Sequence, residues 1–148
     1  MTELEMWPEF VRKYPEAAGA NYEAWCYGSD AANELAALTA SGIKTATASA
    51  YPVYLLENEP LPKEGEYNII LYTDGTAACV TKTTHVYVTA FRDVSADHAY
   101  REGEGDRSLS YWRQVHEKFF AEEMTAAGLE FTEKMPVVCE TFEVLLKG

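Results

Sequence analysis

The sequence predicts an α+β fold in which five or six short strands form a small mixed β-barrel with helices packed around it. Helical and strand-like patterns occupy separate stretches of the chain, which favours an antiparallel or mixed sheet over βαβ units. The chain has 148 residues, of which 47% are hydrophobic, so one domain with a substantial core is expected. Several short strands in so small a chain hide their edges most easily by curling into a barrel.

Two helices are predicted in the first third of the chain. An amphipathic pattern runs from about Glu5 to Tyr14 and indicates a short helix. A second helix begins after Ser29 or Asp30, either of which is a suitable N-cap, and continues to about Ser41. Gly42 then stands where a left-handed C-terminal cap belongs.

Beyond Gly42 the hydrophobic period changes from 3.6 to 2, which is typical of strands. The pair Asp74-Gly75 is a strong hairpin signal between two of them. The closing strand has apolar side chains on both faces, so a central or barrel-forming position is expected. The predicted strands cover residues 45–56, 67–71, 77–83, 86–91 and 137–145.

Two further helices are predicted between the last strands. A short helix is expected from Ser95 to Arg101, followed by an irregular, glycine-rich loop over residues 102–106. Ser108 is a suitable N-cap for the longest helix, which is expected from Ser110 to Ala127. Its buried stripe is predicted to contain Trp112, Val115, Phe119 and Met124.

Charge and cysteine content restrict the classes of function. Asp and Glu number 24 against 12 Lys and Arg, giving a formal charge of −12 that repels phosphate backbones and anionic lipid. Long duplex nucleic acid and membranes are therefore not expected partners, whereas a small ligand or a short strand is compatible with this charge. The three cysteines are far apart and contain no CxxC motif, which predicts reduced thiols in a cytoplasmic protein.

Lys44 is a cation in a strongly acidic chain and lies beside several hydroxyls. Thr45, Thr47 and Ser49 alternate, so on an extended strand they share one face. A buried lysine with a lowered pKa can act as a base towards a hydroxyl, which would make Thr47 a nucleophile. A run of threonines is also typical of an ordinary strand, and a lysine after a helix is commonly solvated.

The acidic loop offers a second chemical possibility. Glu102, Glu104 and Asp106 are separated by glycines, and three carboxylates can ligate Mg²⁺ or Mn²⁺. A polar surface turn is the alternative. The histidines, residues 85, 98 and 116, show no ligand spacing, and structural or surface roles are expected for them.

The aromatic residues include candidates for stacking on a base, although packing in the core or at its rim explains most of them equally well. The candidates include Trp25, Tyr27 and Tyr51. Arg113 follows the acidic loop and is a candidate anchor for phosphate or carboxylate.

Four segments together resemble the ASCH domain family, which is related to PUA domains. The family hallmark, G-x-K-x-x-T after a helix, corresponds to Gly42–Thr47. A longer bacterial subgroup adds Trp-x-[Phe/Tyr]-Gly, here Trp25–Gly28, and Glu-Gly-Glu-Gly-Asp-x-Ser-Leu-x-x-Trp-Arg, here Glu102–Arg113. The subgroup also has Met-Pro-Val-Val-Cys-Glu-x-Phe, here Met135–Phe142.

This resemblance implies a PUA-like barrel with a cleft, formed by residues 25–148, preceded by a helical extension over residues 1–24. It also implies RNA or nucleobase ligands. Some small relatives hydrolyse the amide of N-acetylated cytidine with a Lys, a Thr and a Glu. The Lys and Thr correspond to Lys44 and Thr47, and the Glu corresponds to Glu102, with Glu104 as the alternative. In this interpretation Lys44 deprotonates Thr47 and Thr47 attacks the acyl carbon. Glu102 orients Lys44 or passes a proton to the leaving amine, and no cofactor is needed.

The resemblance leaves three functions to compare. The first is hydrolysis of an N-acylated cytidine-type nucleoside. The second is metal-dependent cleavage of single-stranded RNA, an activity of other relatives. Glu102, Glu104 and Asp106 would hold Mg²⁺ or Mn²⁺, and Lys44 would contact the phosphate. The third is RNA binding without catalysis. A small nucleoside or a short single strand is the expected partner, and the residues expected to bind it are Trp25, Tyr27, Thr45, Ser49, Tyr51 and Arg113.

Overall fold

A computed structural model describes all of residues 1–148 and contains five α-helices and five β-strands. The helices are α1 (Glu3–Lys13), α2 (Ala32–Ala40), α3 (Tyr51–Glu57), α4 (Ala96–Glu102) and α5 (Leu109–Ala126). The strands are β1 (Tyr22–Trp25), β2 (Ala46–Ala50), β3 (Tyr67–Leu71), β4 (Ala77–Ala90) and β5 (Pro136–Lys147). Short 3₁₀ turns cover Pro15–Ala17 and Phe91–Asp93. The α+β class is confirmed.

The five strands form one open sheet in the order β1-β3-β4-β5-β2. The β1–β3 pair is parallel and the other three pairs are antiparallel. Because β1 and β2 lie at opposite edges and do not pair, the predicted closed barrel is wrong. The edge strands β1 and β2 are four and five residues long. Strands this short limit pairing with other chains, so the sheet does not need to close into a barrel to protect its edges.

Strand boundaries differ from the prediction in three places. The expected strand over residues 45–56 ends at Ala50, because Pro52 lies in the first turn of α3, where its fixed φ suits a helix. The two strands expected over residues 77–83 and 86–91 are one strand, β4, whose pairing with β5 shifts between Thr83 and His85. The short strand β1 was not predicted.

Of the two predicted N-caps, Ser108 of α5 is confirmed and Ser29 or Asp30 of α2 is wrong. Thr2 caps α1, while Ser95 and Ser108 accept hydrogen bonds from the backbone at the starts of α4 and α5. The N-cap of α2 is Ala31, not Ser29 or Asp30, since the Ser29 hydroxyl instead accepts a hydrogen bond from the N–H of Ala31.

The core lies on both faces of the sheet. One cluster joins α4 and α5 to β5 around Trp112 and Phe120, and a second packs α2 against β3 and β4. A third joins α1 to β3 and β4, so residues 1–24 share a core with the rest of the chain. Their assignment as a separate extension stays a prediction. None of the helices combines the length and hydropathy needed to cross a membrane.

Candidate functional site

Lys44 is buried, with 1% of its surface exposed, directly after the end of α2. Gly42 has φ +82°, the left-handed conformation that the sequence predicts, and both Ile43 and Lys44 donate backbone N–H bonds to the Leu38 carbonyl. This tight turn directs the lysine side chain inward, beneath the end of α4. The alternative of a solvated lysine is therefore excluded.

The Lys44 ammonium has three oxygen partners. It donates to Oε1 of Glu102 at 3.2 Å, to the Glu102 backbone carbonyl at 3.4 Å and to Oε2 of Glu104 at 3.0 Å. It also lies 5.3 Å from the centre of the Tyr27 ring, a cation–π distance. An ammonium group has three donors, and the one that faces the Glu102 carbonyl makes the longest contact, so a ligand oxygen can replace that carbonyl.

Glu102 is the most heavily bonded carboxylate of the site. Its Oε2 accepts hydrogen bonds from Nε1 of Trp112 at 2.6 Å and from Nε2 of His98 at 2.7 Å. Its Oε1 contacts Lys44 and lies 3.4 Å from Nε2 of His116. Burial alone would raise the pKa of Glu102, but Lys44 and the two histidines hold it well below its ordinary value. Glu102 is therefore a buried anion.

These contacts shift the pKa of Lys44 in the direction opposite to the one expected. Burial alone would lower the pKa of the amine, but the carboxylates of Glu102 and Glu104 raise it above its ordinary value. The lysine is thus held as an ammonium ion, and the prediction of a lowered pKa is wrong. A cation in this position can bind a carbonyl oxygen or a developing negative charge.

His98 and His116 are residues of the site that sequence reasoning missed. Nδ1 of His116 faces the Trp112 carbonyl at 2.9 Å and its Nε2 faces Glu102, so both ring nitrogens face acceptors. Burial alone would lower the pKa of His116, but Glu102 raises it. A signal was present in the four-residue spacing of His98 to Glu102 and of Trp112 to His116, which places each pair on one helix face.

The buried stripe of α5 differs from the prediction in a way that matters here. His116 and Phe120 are buried with Trp112 and Met124, whereas Val115 is 36% exposed and Phe119 only partly buried. The sequence pattern favoured apolar residues, but the anion of Glu102 stabilises a histidine in the core.

A cavity of about 1030 Å³ lies beside this cluster, between the sheet, α3 and α5. The predicted site residues that line it are Trp25, Tyr27, Lys44, Thr47, Ser49, Glu102 and Glu104. The ring centres of Trp25 and Tyr27 are 5.0 Å apart, nearly perpendicular, and the Trp25 indole donates to Asn68. The structure thus brings the predicted catalytic residues and two aromatic residues to one cavity.

Four predicted residues lie outside the walls of this cavity. The Thr45 hydroxyl faces the Arg101 carbonyl at 3.4 Å, and Arg113 donates to the Arg92 carbonyl at 2.7 Å. Asp106 is exposed and accepts a bond from the N–H of Ser108, two residues further along the chain. Tyr51, in the first turn of α3, is also not among the lining residues.

The walls of the cavity are strongly acidic. The carboxyl side chains lining it are Glu23, Asp30, Glu59, Glu66, Glu102, Glu104, Glu122, Glu123 and Glu140, against the two lysines Lys44 and Lys118. Since Lys44 is already paired with two of these carboxylates, the cavity has an unbalanced negative potential. That potential disfavours phosphate groups and favours neutral or cationic ligands.

The predicted metal set is not assembled, because Asp106 lies apart from the other acids. Glu102, Glu104 and His116 do bring one ligand atom each to within 4.8 Å of one another, a donor set that Mn²⁺ accepts. However, Lys44 contacts both carboxylates, so its ammonium already supplies the positive charge there. With Lys44 in this position the residues do not fit a divalent ion.

A family model described as ASCH domain matches residues 23–146. The chain belongs to the ASCH domain family. Two solved structures are similar to this ASCH chain over almost its whole length. The ASCH domain from Lactobacillus crispatus JV V101 is 31% identical, with 96% of this chain and 95% of that chain covered and a TM-score of 0.85. Protein EF3133 from Enterococcus faecalis V583 is 35% identical, with 95% and 86% covered and a TM-score of 0.86.

A more distant structure shows the fold alone. The hypothetical protein PH0355 is 18% identical, with 84% of this chain and 98% of that chain covered and a TM-score of 0.54. No relative of this ASCH chain was found among curated proteins.

Proposed function

We propose that this ASCH protein binds an N-acylated cytidine-type nucleoside in the cavity and hydrolyses its amide bond. The observation that carries the proposal is that Lys44, Thr47 and Glu102 line one cavity, with the Lys44 ammonium fixed 3.2 Å from the Glu102 carboxylate. These three residues form the set that the family resemblance assigns to amide hydrolysis.

The cavity suits a neutral nucleoside better than a nucleic acid strand. Its volume of about 1030 Å³ is at the upper end of the range for small-molecule pockets, roughly 300–1,000 Å³. The acidic walls oppose a phosphate backbone but not an uncharged nucleoside. Trp25 and Tyr27 offer aromatic surface for the pyrimidine ring.

The roles of the residues follow from their charge states. Thr47 is the nucleophile that attacks the acyl carbon, as the resemblance implies. Lys44 does not start as its base, since it is an ammonium ion with no free electron pair. Its charge instead stabilises the oxyanion that forms on the acyl oxygen, and Glu102 holds the ammonium in place.

The test is to incubate the protein with N-acetylated cytidine and to measure the release of cytidine by chromatography. Thr47→Val removes the hydroxyl at almost constant volume, so turnover should fall to background, whereas Thr47→Ser should retain part of it. Lys44→Met should lower turnover about 10²–10³-fold, the effect of losing one oxyanion donor. The matched control is Lys63→Met, because Lys63 is an exposed lysine outside the cavity walls.

Absence of turnover by the wild-type protein would contradict the proposal, as would full turnover by Thr47→Val. Saturable binding of cytidine without any turnover would instead support a non-catalytic nucleobase-binding module.

A metal-dependent ribonuclease is the second candidate. The proximity of Glu102, Glu104 and His116 favours it, but a metal ion there would require Lys44 to leave both carboxylates. Cleavage of labelled single-stranded RNA is measured with Mn²⁺ and with EDTA. Activity that requires Mn²⁺ and is lost in His116→Gln would favour this candidate, and activity that resists the chelator would remove it.

A further inference from the structure

Glu140 is a carboxyl group of the cavity to which neither the resemblance nor the proposed mechanism gives a role. It lies in β5, in the segment Met135–Phe142, and is directly opposite Thr47 in the antiparallel β2–β5 ladder. Side chains of directly opposite residues share one face of a sheet, with Cβ atoms about 4.5–5.5 Å apart. Both side chains line the cavity. The carboxyl group of Glu140 is therefore a neighbour of the proposed nucleophile.

One oxygen of this carboxyl group has no hydrogen-bond partner. Oε2 of Glu140 is buried and unpaired, and Glu140 takes part in none of the ion pairs of the structure. A buried polar atom without a partner costs free energy, and such atoms are uncommon except where function requires them. The unpaired oxygen is available to accept a hydrogen bond or a proton from Thr47 or from a bound ligand.

The surroundings of Glu140 contain other acids instead of a cation. Burial, followed by the charges of Glu66 and Glu23, raises the pKa of Glu140 to about 7. The Tyr54 phenol also interacts with Glu140, whose charge contributes to raising the pKa of the phenol. Both the carboxylate and the carboxylic acid are thus populated near neutral pH, which is the condition for efficient transfer of a proton in either direction.

The rest of the site lacks such a group next to Thr47. Lys44 is an ammonium ion that faces three oxygen atoms. Glu102 is an anion whose carboxylate faces four nitrogen atoms. We propose that Glu140 is a catalytic residue that accepts the proton of the Thr47 hydroxyl and delivers it to the leaving nitrogen of the substrate amide. This inference rests on the proposed function.

The proton balance of the reaction is complete with Glu140 alone. The Glu140 carboxylate takes the Thr47 proton as the threonine oxygen bonds to the acyl carbon. The carbon–nitrogen bond then breaks, and Glu140 gives the proton to the departing amine, leaving an ester on Thr47. A water molecule attacks this ester, Glu140 takes the water proton, and that proton returns to Thr47 as the carboxylic acid leaves.

The first test compares Glu140→Gln with wild type in the N-acetylated cytidine assay. Glutamine keeps the size of the side chain but transfers no proton, so kcat should fall about 10²–10⁴-fold with little change in KM. The matched control is Glu143→Gln, an exposed acid on the same strand outside the cavity, which should keep wild-type kcat.

The second test leaves Glu140 intact and changes its pKa. Wild-type activity should rise with pH through about 7, because the base must be ionised. Glu66→Gln removes a neighbouring negative charge, so this rise should move to lower pH, and Glu143→Gln should not move it. This readout also serves if Glu140→Gln fails to fold.

The outcomes separate this inference from the proposed function. Turnover by wild type, with unchanged kcat in Glu140→Gln or only a raised KM, would overturn the role of Glu140 and leave the proposed function standing. An unmoved pH profile in Glu66→Gln would overturn it equally. No turnover by wild type would overturn both.

Discussion

Replacing Glu140 with glutamine should stabilise the folded protein, by an amount that grows with pH. The pKa of Glu140 is about 7 in the folded state, against an ordinary value of 4.5. Between these two values the folded protein keeps a proton that the unfolded chain has lost. The stability of the wild type therefore falls as pH rises through this window, and the whole cost is present above pH 7.

The size of this effect follows from the two pKa values. At about 1.4 kcal/mol per pH unit, the difference corresponds to up to about 3 kcal/mol. Glutamine resembles the protonated acid and does not ionise. We therefore compare the free energy of unfolding of Glu140→Gln with that of the wild type at each pH. The difference should be larger at pH 8 than at pH 4.5, by up to about 3 kcal/mol.

Urea denaturation at a series of pH values measures this difference without adding salt that would screen the charges. Glu143→Gln is the control, since Glu143 is exposed on the same strand and its variant should follow the wild-type pH dependence. A constant difference between Glu140→Gln and wild type from pH 4.5 to pH 8 would refute the reasoning. It would mean that Glu140 titrates like a solvated carboxyl group.

Two further substitutions test the architecture of the site. Lys44→Met leaves the buried Glu102 and the half-buried Glu104 without their cation and should cost about 3–5 kcal/mol in urea denaturation at pH 7, whereas the exposed Lys63→Met should change stability little. Gly105→Ala should lower the melting temperature more than Gly65→Ala does. An equal decrease in the two variants would contradict the expected clash with Tyr111. Both glycines have positive φ, but an added Cβ would lie 2.5 Å from the Tyr111 ring only at Gly105.

The sequence identified Lys44 as unusual because a cation following a helix stop stands out in an acidic chain. Its burial and its contact with Glu102 agree with that reasoning, but its protonation state did not follow from it. Desolvation alone lowers the pKa of a lysine, so the expected direction was downward. Two carboxylates nearly sixty residues away reverse that direction, and nothing local to residues 42–47 indicates their number or distance.

Other parts of the fold depend on contacts that local patterns do not encode. The closed barrel was inferred from the number of strands, but closure requires β1 to pair with β2, and each is short and at an edge. The threonine- and tyrosine-rich pattern of residues 45–56 suits a strand throughout, yet Pro52 favours the first turn of a helix. Glu140 has the appearance of a solvent-facing acid in an alternating strand until the register places it opposite Thr47.

Glu102 and Glu140 lie in different walls of the cavity, and their surroundings shift the pKa values of the two carboxyl groups in opposite directions. At the α4–α5 wall, hydrogen-bond donors and Lys44 keep Glu102 ionised, and the ammonium offers positive charge to an oxygen. At the sheet wall, burial and then neighbouring acids raise the pKa of Glu140 to about 7, so the carboxyl group can take up a proton and give it to a nitrogen. Environments that separate the pKa values of two acids assign them different tasks. An amide bound between these walls, with its oxygen towards Lys44 and its nitrogen towards Glu140, would meet each charge where it develops during cleavage.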